Sequence, residues 1–207
     1  MSRAEQVERN RARVLDGARA VFLAQGYGGA TVDAIALEAG FSKGVVYSQF
    51  AGKGDLFLAL LEERIDLRAA ENARLAEGRS GLAGLRDLLA ASARRDAEDA
   101  GWGLLLVEFR VVAARDADLG ARYAALHARS VGTFAALVEQ VLARDGLTTV
   151  GPAEQVARAV FALGTGLALE RAAGTAAAPD AVLDAVTAAL VVPAGTRPDP
   201  STPEEPR

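Results

Sequence analysis

Residues 31–57, TVDAIALEAGFSKGVVYSQFAGKGDLF, carry two short helical patterns joined by a glycine turn and followed by the start of a third helix. Thr31 stands where a hydroxyl can accept a hydrogen bond from one of the unpaired N–H groups at a helix start. Asp33 falls in the first turn, where a carboxylate suits the positive end of the helix dipole. Val32, Ile35, Ala36 and Ala39 share one face at helical spacing. Gly40 ends that helix, because glycine takes the left-handed cap conformation at little cost. Ser42 is placed to cap the next helix, on which Val46 and Phe50 lie four residues apart. Lys43, Gly44, Val45, Tyr47 and Gln49 are left mostly on other faces, available to a partner. A short second helix with small and polar residues at its N-terminal end suits the major groove of duplex DNA, so the pattern predicts a helix-turn-helix DNA reader.

From Gly26 to Phe57 the chain resembles the N-terminal domain of the tetracycline-repressor (TetR) family of bacterial transcriptional regulators. The resemblance rests on Gly26-Tyr27, Thr31, Ile35, the run Ala39-Gly40-Phe41-Ser42-Lys43-Gly44, then Val46-Tyr47, Phe50, Lys53 and Leu56-Phe57, all in register. It implies a DNA-binding surface made by Thr31, Ser42, Lys43, Gly44, Val45, Tyr47, Ser48, Gln49 and Lys53, with Tyr47 and Lys53 on the phosphate backbone. A tyrosine hydroxyl and a lysine ammonium are both good phosphate donors. Lys43 can donate to guanine O6 or N7, Val45 can pack on a thymine methyl, and Gly44 lets the backbone approach. Lys43 reads equally as a purely electrostatic contact at a helix start. The chain makes three departures from the family's pattern: Ser48-Gln49 stand where histidine or tyrosine-histidine is frequent, Gly54 where an acidic residue is common, and Gly52 where a better cap is usual. The first bears on base preference. The two glycines suggest a pliable start to the fourth helix.

The 207 residues are 51% hydrophobic, much of it alanine, which favours helix and close helix packing. With no cysteine, disulfides and thiolate chemistry are excluded. No apolar run reaches the length of a membrane span and no signal-peptide core opens the chain, which reads as cytoplasmic. Net charge is −4; residues 1–64 carry 8 basic and 8 acidic side chains, and the remainder 15 and 19. DNA binding must therefore depend on where charges sit, with Arg3, Arg9, Arg11, Arg13, Lys43 and Lys53 as the candidates. Arg9, Arg11 and Arg13 read equally as a solvated helix face.

Helical periodicity predicts an all-α chain of about nine helices: 5–25, ended by Gly26, then 32–39, 43–49, 53–77, 85–97, 102–115, 118–144, 153–172 and 179–191. The expected organisation is a three-helix helix-turn-helix DNA-binding domain over 1–52 and a helical ligand-binding and dimerisation domain over 53–192. A disordered tail over 193–207 would hold five of the seven prolines. The resemblance implies an effector pocket among helices four to seven and a dimer made by the last two long helices. Trp102, Leu105, Phe109, Tyr123, His127 and Phe134 are the pocket candidates, and their aromatic spacing fits plain core as well. With few polar groups nearby, the implied effector is apolar or aromatic. Val156, Val160, Leu163 and Leu167 on one helix, and Val182, Val186 and Leu190 on the next, are the candidate homodimer surface, or else burial within one monomer.

Catalysis is not expected. A single histidine and no cysteine leave a metal site to carboxylates alone, and neither a P-loop nor a G-x-G-x-x-G fingerprint is present. No metal or cofactor is implied. The expected activity is a homodimeric repressor, released from a palindromic DNA operator by a small molecule. Rival readings are an activator or ligand-independent regulator, and a sequestration protein that no longer binds DNA.

Overall fold

The computed structural model describes residues 2–175 and 180–196. Among them the chain is all-α, with nine helices: α1 (Arg3–Gly29), α2 (Val32–Ala39), α3 (Lys43–Tyr47), α4 (Lys53–Ala76), α5 (Gly81–Glu98), α6 (Ala100–Ala113), α7 (Ala117–Ala143), α8 (Ala153–Ala172) and α9 (Asp180–Ala189). No helix among the described residues is long and apolar enough to cross a membrane. The chain folds as two compact units. One comprises the residues up to Arg68 together with Asp99–Ala128, the other Ala69–Glu98 and the described residues from Arg129 onward.

In the first unit, α1 begins with a reciprocal capping box. Ser2 Oγ accepts from Glu5 N–H while the Glu5 carboxylate accepts from Ser2 N–H. Val14, Leu15, Ala18, Val21 and Phe22 bury one face of α1 against Ile35, Ala36, Val46, Phe50, Leu56, Phe57, Leu60 and Leu61. Trp102, Leu105 and Phe109 of α6 belong to the same core. The expected end of α1 at Gly26 is a break rather than a stop. With φ 71° and ψ 170°, Gly26 leaves the helical path, and one further turn reaches Gly29. Gly17 sits where a methyl group would lie 2.9 Å from Ala39 N, so α1 and α2 pack backbone to backbone.

The start of α4 is held firmly, against the pliability its two glycines suggest. Gly54 admits Leu119 of α7, whose Cδ2 lies 2.6 Å from where a Cβ would be. Asp55 Oδ2 accepts from Ala51 N–H at 2.8 Å, and Oδ1 pairs with Arg122 at 2.5 Å. Burial alone would raise the Asp55 pKa; the Ala51 N–H and the Arg122 guanidinium outweigh it, and the carboxyl titrates below its usual value.

In the second unit, Leu85, Leu88 and Leu89 of α5 pack with Val131, Phe134, Ala135, Val138 and Leu142 of α7 and with Ala153 and Ala157 of α8. Arg144 caps the C-terminus of α4 by donating to the Ala76 carbonyl at 2.9 Å and to that of Arg79. Two short strands, β1 (Leu147–Thr149) and β2 (Val191–Pro193), pair antiparallel with Thr148 opposite Val192. They correct two expectations. Val191 leaves α9 for a strand, and Pro193, expected to open a disordered tail, sits in β2 opposite Leu147. Ala194 N–H donates to the Gly146 carbonyl at 2.8 Å, so order extends past the strand. A proline fits an edge position, where no ladder donor is needed. Residues 197–207 lie outside those described.

The Asp55–Arg122 tie makes a pH prediction. Because the folded-state pKa of Asp55 lies below its unfolded value near 3.8, its contribution is complete above that value and is lost as pH falls through the folded pKa. Asp55→Asn is expected to cost about 1 kcal/mol at pH 7. The gap in Tm between wild type and variant should close in strongly acidic buffer; a gap unchanged with pH counts against the tie.

Candidate nucleic-acid interface

Each turn of the helix-turn-helix is fixed by backbone chemistry. Thr31 caps α2 as expected, its Oγ1 accepting from Ala34 N–H at 3.1 Å. Gly40 takes φ 72° in the left-handed region, and Phe41 N–H closes back on the Ala36 carbonyl at 2.9 Å. Ser42 occupies the cap position of α3, but its side chain makes no capping bond. The hydroxyl stays exposed at the head of that helix.

α3 is shorter than the expected 43–49. Ser48 Oγ donates to the Val45 carbonyl at 2.8 Å and Gln49 Nε2 to the same carbonyl at 3.4 Å, so both side chains fold back onto the last turn. Lys43, Gly44, Tyr47 and Ser48 are exposed, while Val46 and Phe50 are buried and Val45 and Gln49 are half-buried. Lys43 Nζ pairs with Asp33 Oδ1 at 2.6 Å in an exposed contact that binds α3 to the first turn of α2. Such exposed pairs exchange readily with solvent or a competing anion. A side chain at Gly44 would meet only Ser42 Oγ, at 3.8 Å, so this surface is open. Tyr47, 55% exposed, presents its ring outward beside it.

Lys53 has internal partners. Its ammonium donates to the carbonyls of Tyr27 at 2.7 Å, Ala30 at 3.0 Å and Gly28 at 3.4 Å, and lies 4.7 Å from the centre of the Tyr27 ring. Burial lowers its pKa. Of the candidate arginines Arg9, Arg11 and Arg13 on α1, the last two are also engaged. Arg11 lies over the Phe50 ring at 4.6 Å. Arg13 lies over Phe41 at 4.6 Å and donates to the Ala39 carbonyl at 3.1 Å, gripping the turn between α2 and α3. Arg11 is half-buried and Arg13 is exposed. Sequence reasoning missed Glu108 altogether: its Oε2 accepts from Tyr27 N–H at 2.7 Å. No local pattern could reveal a contact spanning 81 residues.

The six pocket candidates are divided between the two units. In the first unit, Phe57 stacks on Trp102 and Phe109, at 5.7 and 4.3 Å between ring centres, and Tyr123 continues the series to His127 at 5.7 Å. Leu105 is buried in the same core, whereas Phe134 belongs to the core of the second unit. That unit has its own narrow apolar cleft, lined by Leu85, Leu89, Phe134, Val138, Val156, Val160 and Leu190, with Thr149 and Thr187 as its polar groups. Three candidate dimer residues, Val156, Val160 and Leu190, thus line a cleft within one chain. Leu163, Leu167 and Val186 are half-buried, and the side chain of Val182 lies outside the described residues. Among the described residues no cluster of three or more potential metal ligands occurs.

Residues 14–60 match the family model "Bacterial regulatory proteins, tetR family". The HTH-type transcriptional regulator SrpR of Pseudomonas putida is 44% identical over 61 residues, 30% of this chain and 29% of that protein. The HTH-type transcriptional repressor AcnR of Corynebacterium diphtheriae is 37% identical over 94 residues, 44% of this chain and 46% of that protein. The matched stretch spans less than half the length of either relative. A solved TetR-family transcriptional regulator from Pectobacterium atrosepticum shares the fold, with a TM-score of 0.64 and 21% identity over 91% of this chain and 93% of that one. The all-α fold is that of this solved TetR-family regulator, and residues 14–60 are similar to the family's N-terminal domain.

The α1–α2 approach yields a stability prediction. Gly17→Ala should lower the unfolding free energy by about 1–3 kcal/mol, since its methyl meets backbone that cannot yield cheaply. Gly28→Ala, with nothing within 4 Å of its Cβ, should stay within about 0.5 kcal/mol of wild type. Urea titrations of both check this; equal effects contradict the packing argument.

Proposed function

We propose that this chain is a DNA-binding transcriptional regulator of the cytoplasm, acting as a homodimeric repressor that a small apolar or aromatic molecule releases from a palindromic operator. The observation that carries the reading is the exposed surface of Lys43, Gly44, Tyr47 and Ser48 on a five-residue helix whose other face is locked into a buried core. A rigid support under a short polar helix is what groove reading requires. Lys43 and Val45 read base edges, with Gly44 allowing close approach. Ser48 borders the base edges, and Thr31, Ser42, Tyr47 and Gln49 serve the phosphates and the groove wall. Lys53 reaches a phosphate only by giving up a carbonyl partner.

Two copies would place α3 in successive major grooves about 34 Å apart. The half-buried residues of α8 and α9 supply the two-fold contact: Val156, Val160, Leu163, Leu167, Val186 and Leu190, with Val182 beside them in sequence. The division into a 1–52 reader and a 53–192 regulatory part describes these roles. The effector fits an apolar site with few polar groups. An effector that favours the conformation with misplaced α3 helices weakens DNA binding, and DNA weakens effector binding by the same factor.

The test is binding of the full chain to a duplex carrying the palindrome upstream of its own coding sequence, across a range of salt. Binding should weaken steeply as salt rises. Tyr47→Phe should weaken binding several-fold and equally on all sequences, while Lys43→Ala should relax preference at one base step. Absence of salt-sensitive, palindrome-selective binding would falsify the reading. Deleting the gene should raise target expression for a repressor and lower it for an activator.

A further inference from the structure

α6 reaches the joint between α1 and α2 through two side chains, Phe109 against the Tyr27 ring and Glu108 on the Tyr27 backbone. Gly26, at φ 71° and ψ 170°, turns Tyr27 out of the helical path, and Glu108 Oε2 accepts from Tyr27 N–H at 2.7 Å. On the other side, Lys53 Nζ of α4 donates to the Tyr27 carbonyl at 2.7 Å. Both backbone groups of one residue are therefore held by opposite charges from two different helices. The Tyr27 side chain is itself buried, stacked on Phe22 and edge-on to Phe57 and Phe109. Thr31, the cap of α2, follows four residues later, and the Gly40 turn leads from α2 to α3. The path from α6 to the exposed face of α3 thus runs through the Glu108 hydrogen bond, the Phe109–Tyr27 ring contact and a short, tightly held segment.

We propose that Glu108 is a positioning residue for DNA binding: by holding the Tyr27 amide it ties α6 to the joint that aims α3, so that displacement of α6 changes DNA affinity. This rests on the reading of α3 as the DNA-contacting helix. A carboxylate–amide bond of this length is charge-assisted and weakens steeply on stretching. Movement of α6 along its axis must therefore drag Tyr27 or leave its N–H unpaired beside a buried ring, which is costly. Lys53 completes the grip from the α4 side, so the joint registers the positions of both helices.

The experiment compares wild type, Glu108→Gln and Glu108→Ala as full-length chains. Two readouts are taken: hydrogen exchange of the Tyr27 amide, and binding to the palindromic duplex across a range of salt. Glutamine keeps an oxygen acceptor without the charge; alanine removes both. In Glu108→Ala the Tyr27 amide should exchange at least about tenfold faster and DNA affinity should fall about tenfold. The salt slope should be unchanged, because no phosphate contact is lost. Glu108→Gln should restore both readouts to within about threefold of wild type, given a neutral acceptor in place of a charged one. A merely structural role would lower the Tm of Glu108→Ala without this rescue pattern in DNA affinity. Wild-type affinity in Glu108→Ala, or unchanged Tyr27 exchange, overturns the proposal while leaving the DNA-binding reading intact. If wild type itself fails to bind DNA, that reading falls, and with it the positioning role; the exchange data then report only whether the hydrogen bond exists.

Discussion

The first unit depends on how the chain leaves α1. Helical geometry would carry α1 straight on past Gln25, and α2 could then not fold back against it. Gly26 breaks the path, and the break exposes polar backbone that must find partners. Glu108 takes the Tyr27 N–H, and Lys53 takes the carbonyls of Tyr27, Gly28 and Ala30. With those groups satisfied, the Tyr27 ring can be buried among Phe22, Phe57 and Phe109, and its phenol is pushed to a higher pKa by burial and then by the charge of Asp116. The same joint then brings α2 close enough for Gly17 to meet the Ala39 backbone. The orientation of α3 follows from these contacts rather than from anything within its own five residues.

Much of this unit was legible in the chain. Thr31, the glycine at 40, and the buried positions Val14, Leu15, Ala18, Phe22, Ile35, Val46 and Phe50 follow from capping chemistry and helical period, which are local. What escaped was non-local. Ser42 has the right residue type and backbone for a cap without making the bond, because side-chain rotation is not written in sequence. Ser48 and Gln49 carry helical propensity enough to extend α3, yet their side chains compete for the Val45 carbonyl and terminate it. The tightness of the α4 start depends on Leu119 and Arg122, far along the chain, so Gly54 read as looseness when it marks close packing.

The second unit was harder to read for a different reason. Its helices are rich in alanine and aliphatic residues on more than one face, so periodicity does not separate an intramolecular contact from one made with a second copy. Ala153 and Ala157 turn out to be the buried positions of α8, while Val156, Val160, Leu163 and Leu167 are only half-buried. The short strands β1 and β2 lay below any period that three residues can display. Phe134 looked like a companion of Phe109 by residue type alone, and contacts assign it to another core.

The charges near α3 limit how the proposed DNA contact can work. Of the eight basic side chains in residues 1–64, six have internal partners: Arg11 on Phe50, Arg13 on Phe41 and Ala39, Arg19 with Glu63, Lys43 with Asp33, Lys53 on three carbonyls, and Arg64 with Asp99. Exposed pairs such as Lys43–Asp33 open at little cost. Lys53 and Arg13 are different, since moving them would unpair carbonyls that position α2. A phosphate therefore competes with the fold for these two cations but hardly for Lys43. The affinity of such a surface cannot come from a broad basic field; it must come from a few contacts in a well-aimed geometry. The side chains that hold α3 in place thus matter as much to DNA binding as those that touch the duplex.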